Sequence, residues 1–188
     1  MKLAIDIDGV LLDIMETYCE IYNRRYGTNY KKKDVTRWDF FDDWDITEEV
    51  AFNIFYEIYA NSINVPFIDE DAPKIMKKLN ERYDLDIVSA RLPEYRASIT
   101  EKLDLHDIKE GIQYTELILL HHKPYNIKLT QNYDLYVDDN PNLVEQIKKM
   151  EDRTLLLYDQ PWNQHSVCEG NVHRVYDWKE VREKIFDL

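Results

Sequence analysis

The stretch Asp6-Ile7-Asp8-Gly9-Val10 decides how this sequence is interpreted, because it places two carboxylates one residue apart where an apolar segment ends. The preceding residues, 2–5, are typical of a buried β-strand, and Gly9 permits a sharp turn directly after it. Alternate residues of a strand share a face, so Asp6 and Asp8 can converge on one ligand past the strand end. On its own, the pattern also fits a polar turn that happens to contain two aspartates.

The composition of the 188-residue chain fits a single domain with a sizeable insertion. Hydrophobic residues make up 44% of the chain, which is enough for a packed core. The net charge of −13 argues against a nucleic-acid polymer as partner but permits a small anionic substrate beside a bound cation. Cys19 and Cys168 are too few for a disulfide framework or a zinc site, so we expect a cytoplasmic protein. No apolar run reaches membrane-spanning length, and we expect no membrane partner.

Two regions of different character follow the first strand. Residues 14–68, called the insert below, show helical spacing of apolar residues and no convincing strand. From residue 69 onward, strands (85–88, 113–120, 134–137 and 154–158) alternate with helices (73–82, 92–103, 141–150 and 177–186). This alternation predicts an α/β fold with a Rossmann-like parallel sheet and helices on both faces. The predicted core comprises residues 1–13 and 69–188, and the insert forms a small helical lobe.

Polar residues follow four of the predicted strands, and in chain order they are Asp6 with Asp8, Ser89, Lys123, and Asp138 with Asp139. Carboxyl ends of parallel strands meet at one edge of a sheet, where ligands bind, so we expect a single site. Taken singly, each residue has a plainer interpretation. Ser89 fits a helix cap, Lys123 a solvated lysine, and the last aspartates a helix N-terminus.

These residue types suit phosphoryl transfer, which depends on positioning and charge stabilisation. Asp6 would attack phosphorus, and Asp8 would protonate the leaving oxygen and later activate water. Together with Asp6, the Asp138-Asp139 pair offers the oxygen ligands that Mg²⁺ prefers. Ser89 and Lys123 would hold the phosphate oxygens that are not transferred.

The order of these motifs resembles the four-motif set of the haloacid dehalogenase superfamily of phosphotransferases, from residue 3 to about residue 145. The resemblance implies that Asp6 forms an aspartyl-phosphate and that Asp8 also ligates magnesium through its main-chain carbonyl. Since the dehalogenases lack an aspartate at the position of Asp8, the chain resembles a phosphatase. Gly9 and Ala90, which adjoin the motifs, complete the predicted phosphate site with Ser89 and Lys123.

Within the superfamily, three features resemble the 5′(3′)-deoxyribonucleotidase family. They are residues 8–11 followed by the insert, Ser89-Ala90-Arg91, and Asp159-Gln160-Pro161-Trp162-Asn163. This resemblance implies that the insert is a cap over the site and that the chain dephosphorylates nucleoside monophosphates, with a preference for deoxyribonucleotides. The insert does not align residue by residue, so no contact to the base follows from the resemblance.

Large aromatic rings are concentrated in a polar segment of the insert, at Trp38, Phe40, Phe41 and Trp44. Such rings stack on nucleobases, which would make the segment a base-binding lid over the phosphate site. They also fit a small core of the insert itself. Trp162, followed by Asn163, is a second candidate edge of the substrate pocket.

Three further basic residues lie near the motifs. Arg91 either reaches a substrate phosphate or sugar, or pairs with one of the many acidic side chains. His121 and His122 are interpreted as polar loop residues, because the carboxylates already satisfy magnesium.

Two other functions remain as alternatives. The same chemistry would serve a phosphatase of sugar phosphates or of another small phosphorylated metabolite. A phospho-accepting signalling module also uses clustered aspartates, a hydroxyl group and a lysine, but their order along the chain and the insert argue against it. Nothing in the sequence indicates an oligomeric state.

Overall fold

The structure, a computed structural model, describes residues 1–187 and contains a six-stranded sheet in which all neighbouring strands are parallel. The strands are β1 (Lys2–Ile5), β2 (Asp84–Ser89), β3 (Leu117–Leu119), β4 (Leu135–Asp138), β5 (Thr154–Tyr158) and β6 (Val172–Val175). The predicted parallel sheet is confirmed. The strand predicted at 113–120 is only three residues long, and β6 is absent from the sequence prediction. Leu188, the last residue of the predicted core, lies outside the described residues.

Six α-helices accompany the strands within the described chain, together with several short 3-10 turns. They are α1 (Ile14–Tyr26), α2 (Glu48–Ala60), α3 (Ala72–Asn80), α4 (Arg96–Leu105), α5 (Val144–Ile147) and α6 (Trp178–Asp187). Two predicted helices begin as 3-10 turns, at Pro93–Tyr95 and Pro141–Leu143, where proline occupies the first turn. No helix in residues 1–187 is both long and apolar enough to cross a bilayer.

Hydrophobic cores lie on both faces of the sheet. Leu3 and Ile5 of β1 join the larger core, which also contains apolar residues of α3, α4 and α6. Ala4, on the opposite face, joins a smaller core with residues of α5. The alternation arises because successive side chains of a strand point to opposite faces. The prediction of a sheet with both faces covered is therefore confirmed.

The strand order, β3-β2-β1-β4-β5-β6, places the first strand at the point where the chain changes direction across the sheet. From β1 the chain builds β2 and β3 on one side, and then crosses to build β4, β5 and β6 on the other. Ile5 lies opposite Val137, and the amide of Asp6 donates a hydrogen bond of 3.0 Å to the Val137 carbonyl. Such switch points form a crevice at the carboxyl ends of the strands, which here follow Ile5 and Val137.

The insert consists of α1, α2 and three 3-10 turns, and it contains none of the six strands. The hydroxyl oxygen of Thr47 accepts a hydrogen bond from the Val50 amide (3.3 Å) and caps the N-terminus of α2. The two ends of the insert lie next to each other, since the amide of Asp13 donates a hydrogen bond to the Pro66 carbonyl (2.8 Å). The division of the chain at residues 14 and 68 into core and cap stays a prediction.

Candidate active site

Three buried aspartates meet at the switch point of the sheet. Asp6 directly follows β1, Asp138 ends β4, and Asp139 comes next in the chain. One carboxylate oxygen of each residue lies within 4.8 Å of the others. Parallel pairing of β1 with β4 therefore produces the cluster, because it brings the ends of both strands to one level.

A lysine that the sequence analysis did not select lies within this cluster. The Nζ atom of Lys128 is 2.6 Å from Asp6 Oδ2 and 2.7 Å from Asp138 Oδ2. Lys128 belongs to the 3-10 turn Ile127–Thr130 and is only 3% exposed. Its signal in the sequence is a single cation between two apolar residues, Ile127 and Leu129, which is typical of a buried position.

Lys123, which the sequence analysis placed in the site, does not lie in the cluster. Its Nζ atom is 2.6 Å from Glu48 Oε1, at the start of α2 in the insert, and its side chain is half exposed. The prediction used distance along the chain from β3, whereas the path of the loop brings the later lysine back to the strand ends. Lys128, and not Lys123, is therefore the lysine that contacts Asp6.

Asp8 lies beside the cluster and is bound by Arg91 through two hydrogen bonds. Arg91 Nε donates to Asp8 Oδ2 (2.8 Å), and Nη2 donates to Oδ1 (2.6 Å). The Asp8 side chain is 20% exposed, whereas Arg91 is fully buried. Of the two expectations for Arg91, the structure shows the pairing with an acidic side chain, and that partner, Asp8, belongs to the site itself.

The chain around Gly9 packs tightly against Asp139. Gly9 has a φ of +76°, and a Cβ atom there would lie 2.0 Å from Asp139 Oδ2. Its carbonyl accepts a hydrogen bond from Gln160 Nε2 (2.7 Å), and its amide donates to the Leu12 carbonyl (2.8 Å). Glycine is therefore required at this position to admit Asp139, and its amide already has a partner.

The segment after β5 orients Asp139. Trp162 Nε1 donates to Asp139 Oδ2 (3.0 Å), and Asn163 Nδ2 donates to the Asp139 carbonyl (2.9 Å). The side chain of Asn163 also accepts a hydrogen bond from Arg174 Nη1 (2.7 Å), which ties it to β6. Trp162 lines the cavity over the site, whereas Asn163 is buried and does not line it.

The second predicted motif lies at the end of β2. Ser89 is buried, and its hydroxyl oxygen accepts the Arg91 amide at 3.3 Å. Ser89 and Ala90 both line the same cavity as Asp6 and Asp8. Of the predicted phosphate-binding residues, these two therefore face the same cavity as Asp6.

Burial and mutual repulsion dominate the electrostatics of the cluster. Burial raises the pKa of Asp6 to about 8, with Lys128 acting against it and Asp138 adding to it. Burial and the charge of Asp6 also raise the pKa of Asp139 well above its ordinary value. Burial lowers the pKa of Lys128, but the charges of Asp138 and Asp6 outweigh this effect and raise it. The lysine therefore stays protonated, while Asp6 and Asp139 tend to retain their protons.

The donor set fits a divalent cation. Four carboxylates (Asp6, Asp8, Asp138 and Asp139) face two cations, Lys128 and Arg91, which leaves an excess of two negative charges when all groups are ionised. A divalent cation would balance this excess and replace the retained protons. The ligands are carboxylate oxygens, which hard cations such as Mg²⁺ prefer.

An aromatic cavity opens above these residues. The rings of Trp38, Phe41, Phe52 and Trp162 line it, and so does His122, whose ring centroid lies 4.4 Å from that of Phe52. The rings of Trp38 and Tyr125 pack edge to face, with their centroids 6.1 Å apart. The insert thus supplies an apolar wall over the buried carboxylates.

Trp44 differs from the other rings of its segment. It is 7% exposed, stacks on Tyr30 with ring centroids 4.0 Å apart, and packs against Tyr22 and Phe40. It does not line the cavity, so it belongs to the core of the insert and not to the predicted substrate wall. Phe40 contributes to both the core and the cavity.

Comparison with known proteins assigns the family. The model of the family described as "5′ nucleotidase, deoxy (Pyrimidine), cytosolic type C protein" matches residues 1–187. A 5′(3′)-deoxyribonucleotidase of Bacillus subtilis (strain 168) is 26% identical over 184 residues, which is 97% of each chain.

Solved structures agree on the fold. A haloacid dehalogenase-like hydrolase of Streptococcus pneumoniae superposes with a TM-score of 0.67 at 12% identity, over 98% of this chain and 97% of that one. A haloacid dehalogenase-superfamily hydrolase from Bacillus subtilis, bound to magnesium, superposes with a TM-score of 0.59 at 10% identity. The superposition covers 98% of this chain and 97% of that one. The chain has the fold of the haloacid dehalogenase-like hydrolases. It is a phosphoric monoester hydrolase, and it belongs to the family of deoxy-type cytosolic 5′ nucleotidases.

Proposed function

We propose that this chain is a magnesium-dependent phosphatase of nucleoside monophosphates, with a preference for deoxyribonucleotides, and that it acts through an aspartyl-phosphate on Asp6. The observation that carries the proposal is the buried cluster of Asp6, Asp138 and Lys128 beneath an aromatic cavity. A phosphate in the cavity would lie beside Asp6, with an apolar wall ready for the nucleoside. The relative from Bacillus subtilis carries the corresponding activity in its name.

Asp6, Asp138 and Asp139 would hold the metal, with the Asp8 carbonyl as a further ligand. When bound, Mg²⁺ supplies positive charge between the carboxylates and the incoming phosphate, which would otherwise repel each other. The neighbour bound to magnesium has the same fold, which supports this metal. Lys128 and Ser89 would hold the phosphate oxygens that are not transferred, in the manner expected of a point charge and a hydroxyl donor.

Two steps complete the reaction. In the first, Asp6 attacks phosphorus, the bond from phosphorus to the ester oxygen breaks, and Asp8 donates a proton to the departing oxygen. In the second, Asp8 removes a proton from water as the water attacks phosphorus. The bond to Asp6 then breaks, inorganic phosphate leaves, and Asp8 holds the proton for the next cycle.

The insert would act as a cap that binds the base. Trp38, Phe41 and Trp162 line the cavity, and aromatic rings are the surfaces on which nucleobases stack. A cytoplasmic location fits this activity and the two free thiols, Cys19 and Cys168.

The test is phosphate release from a panel of deoxyribo- and ribonucleoside monophosphates and sugar phosphates, in magnesium and in EDTA. We expect release in magnesium only, fastest with deoxyribonucleotides. Release confined to sugar phosphates would contradict the nucleotidase assignment but keep the mechanism. A stable phosphorylated Asp6 without turnover would contradict the phosphatase activity itself.

A further inference from the structure

Arg91 connects the proposed proton carrier to the insert. Besides its two hydrogen bonds to Asp8, it donates from Nη1 to the hydroxyl oxygen of Ser62 (2.6 Å). Its guanidinium carbon also lies 4.4 Å from the centre of the Tyr59 ring. Both residues belong to the insert: Tyr59 lies at the end of α2, and Ser62 follows just after this helix. A single buried side chain therefore contacts an aspartate of the site and two residues of the insert.

The position of Arg91 separates it from the substrate. Asp8 and Tyr59 line the cavity, whereas Arg91 is fully buried and does not line it. Arg91 is thus placed to act on the reaction through Asp8 and not through contact with the phosphate.

We propose that Arg91 is a positioning residue that orients the Asp8 carboxyl group for proton transfer, and that Ser62 and Tyr59 of the insert hold Arg91 in place for this task. The inference rests on the proposed function, because it assigns Asp8 the proton that the reaction moves. It adds a link between the insert and the acid–base group that does not pass through the substrate.

The geometry of the guanidinium group explains the orientation. Its planar fork binds both oxygens of Asp8 and fixes the plane of the carboxyl group. Each oxygen keeps a second lone pair, which can carry the proton. The third contact, to Ser62, fixes the rotation of the fork about the long arginine side chain. Loss of this contact would leave both hydrogen bonds to Asp8 possible but their direction variable.

Stability alone gives a weak reason for this buried pair. Desolvation of two charges often cancels their attraction, and apolar replacements of buried ion pairs are frequently neutral for stability. An arginine that is fully buried against a site carboxylate is better explained by the geometry it imposes.

The experiment compares two phosphate esters of similar size, benzyl phosphate and p-nitrophenyl phosphate, in magnesium. Benzyl alkoxide needs a proton to leave, whereas p-nitrophenolate does not. We measure kcat/KM, which counts only steps up to the departure of the leaving group. Ser62→Ala is the principal variant, because it leaves the charge of the site unchanged. Ser98→Ala is the matched control, since Ser98 accepts a hydrogen bond from the Ser62 amide (3.0 Å) but forms no hydrogen bond with Arg91.

We expect Ser62→Ala to lower kcat/KM for benzyl phosphate by about tenfold and for p-nitrophenyl phosphate by less than about threefold, because displacement of a proton carrier costs about this much. In Arg91→Gln, the loss of kcat/KM for benzyl phosphate should exceed the loss for p-nitrophenyl phosphate by about 100-fold, which lies within the range of general acid catalysis. Arg91→Lys should fall between the two. In an Asp8→Asn background, Ser62→Ala should not change the ratio further.

Equal losses for both esters in Ser62→Ala, or the same ratio in Ser98→Ala, would overturn the inference while the phosphatase activity stands. A wild-type protein that hydrolyses neither these esters nor any nucleotide would remove the proposed function, and the inference with it. If Arg91→Gln does not fold, Ser62→Ala and Arg91→Lys still decide between these outcomes.

Discussion

The ammonium group of Lys128 lies 2.6 Å from the Oδ2 atom of Asp6, in the buried crevice at the end of the first strand. This contact places a permanent positive charge beside the proposed nucleophile. It also explains how Asp6 can lie next to other carboxylates without an intolerable repulsion. The same lysine can reach the oxygens of a phosphate that approaches Asp6, since its side chain also lines the cavity.

We predict that Lys128→Met lowers kcat/KM for a nucleoside monophosphate by about 100- to 1,000-fold, the usual cost of removing a group that stabilises charge in a transition state. Lys123→Met is the matched control. It loses an ion pair with Glu48 that is largely exposed and worth little, so we expect less than about a threefold change. Steady-state kinetics of the two variants checks the prediction. A similar loss of kcat/KM in both variants would show that Lys123 also contributes to the active site.

Asp6→Asn should abolish turnover while the protein remains folded, because an amide cannot form the phosphoenzyme. The control is Asp86→Asn, which changes another buried aspartate, on β2. Asp86 accepts hydrogen bonds from the Glu116 amide (3.0 Å) and the Tyr133 hydroxyl (2.8 Å), away from the cluster. We expect this control to lower the melting temperature but to keep kcat. Turnover in Asp6→Asn at more than a trace level would exclude the mechanism.

The fold and the aspartates were accessible from the sequence because they depend on local pattern and strand order. The alternation of strands and helices predicts the parallel sheet, and the position of Asp6 and Asp138 at strand ends predicts their meeting. The edge strand β6 is harder to predict, since the polar and partly exposed residues His173 and Arg174 interrupt its apolar residues.

The identity of the site lysine and the roles of Trp44 and Arg91 depend on tertiary geometry. Lys123 and Lys128 lie in one loop, and only the path of that loop decides which one reaches Asp6. Trp38 and Trp44 lie six residues apart in the same irregular segment, without the periodicity that would assign a face to each. The contact of Arg91 with Ser62 joins residues 29 positions apart, which no local pattern indicates.

The raised pKa values of Asp6 and Asp139 predict how the stability of the metal-free protein depends on pH. Asp6, with a pKa of about 8 when folded, binds a proton more strongly than in the unfolded chain, where the value is about 4. The folded state therefore holds more protons between these limits, and the free energy of unfolding falls as pH rises through this window. Asp139 shifts in the same direction. Thermal unfolding in EDTA from pH 5 to pH 8 should show a declining melting temperature.

Two comparisons isolate the cluster in this measurement. Asp139→Asn removes one of the shifted groups, so its melting temperature in EDTA should decline less steeply than that of the wild type. Added Mg²⁺ replaces the protons, so it should raise the melting temperature more at pH 8 than at pH 5. A wild-type slope equal to that of Asp139→Asn would contradict the raised pKa of Asp139.

Trp38 and Trp44 lie in different surroundings, since Trp38 lines the cavity and Trp44 packs in the core of the insert. Trp38→Ala should raise KM for nucleoside monophosphates by about 10- to 100-fold, the cost of one lost stacking contact, because Trp38 lines the cavity. Inhibition by inorganic phosphate, which has no base, should not change. Trp44→Ala should instead destabilise the fold by about 3–5 kcal/mol, since it removes a buried ring that stacks on Tyr30. Kinetics and denaturant unfolding of both variants decide the matter. A Trp38→Ala protein that weakens phosphate and nucleotide equally would show that this ring does not bind the base.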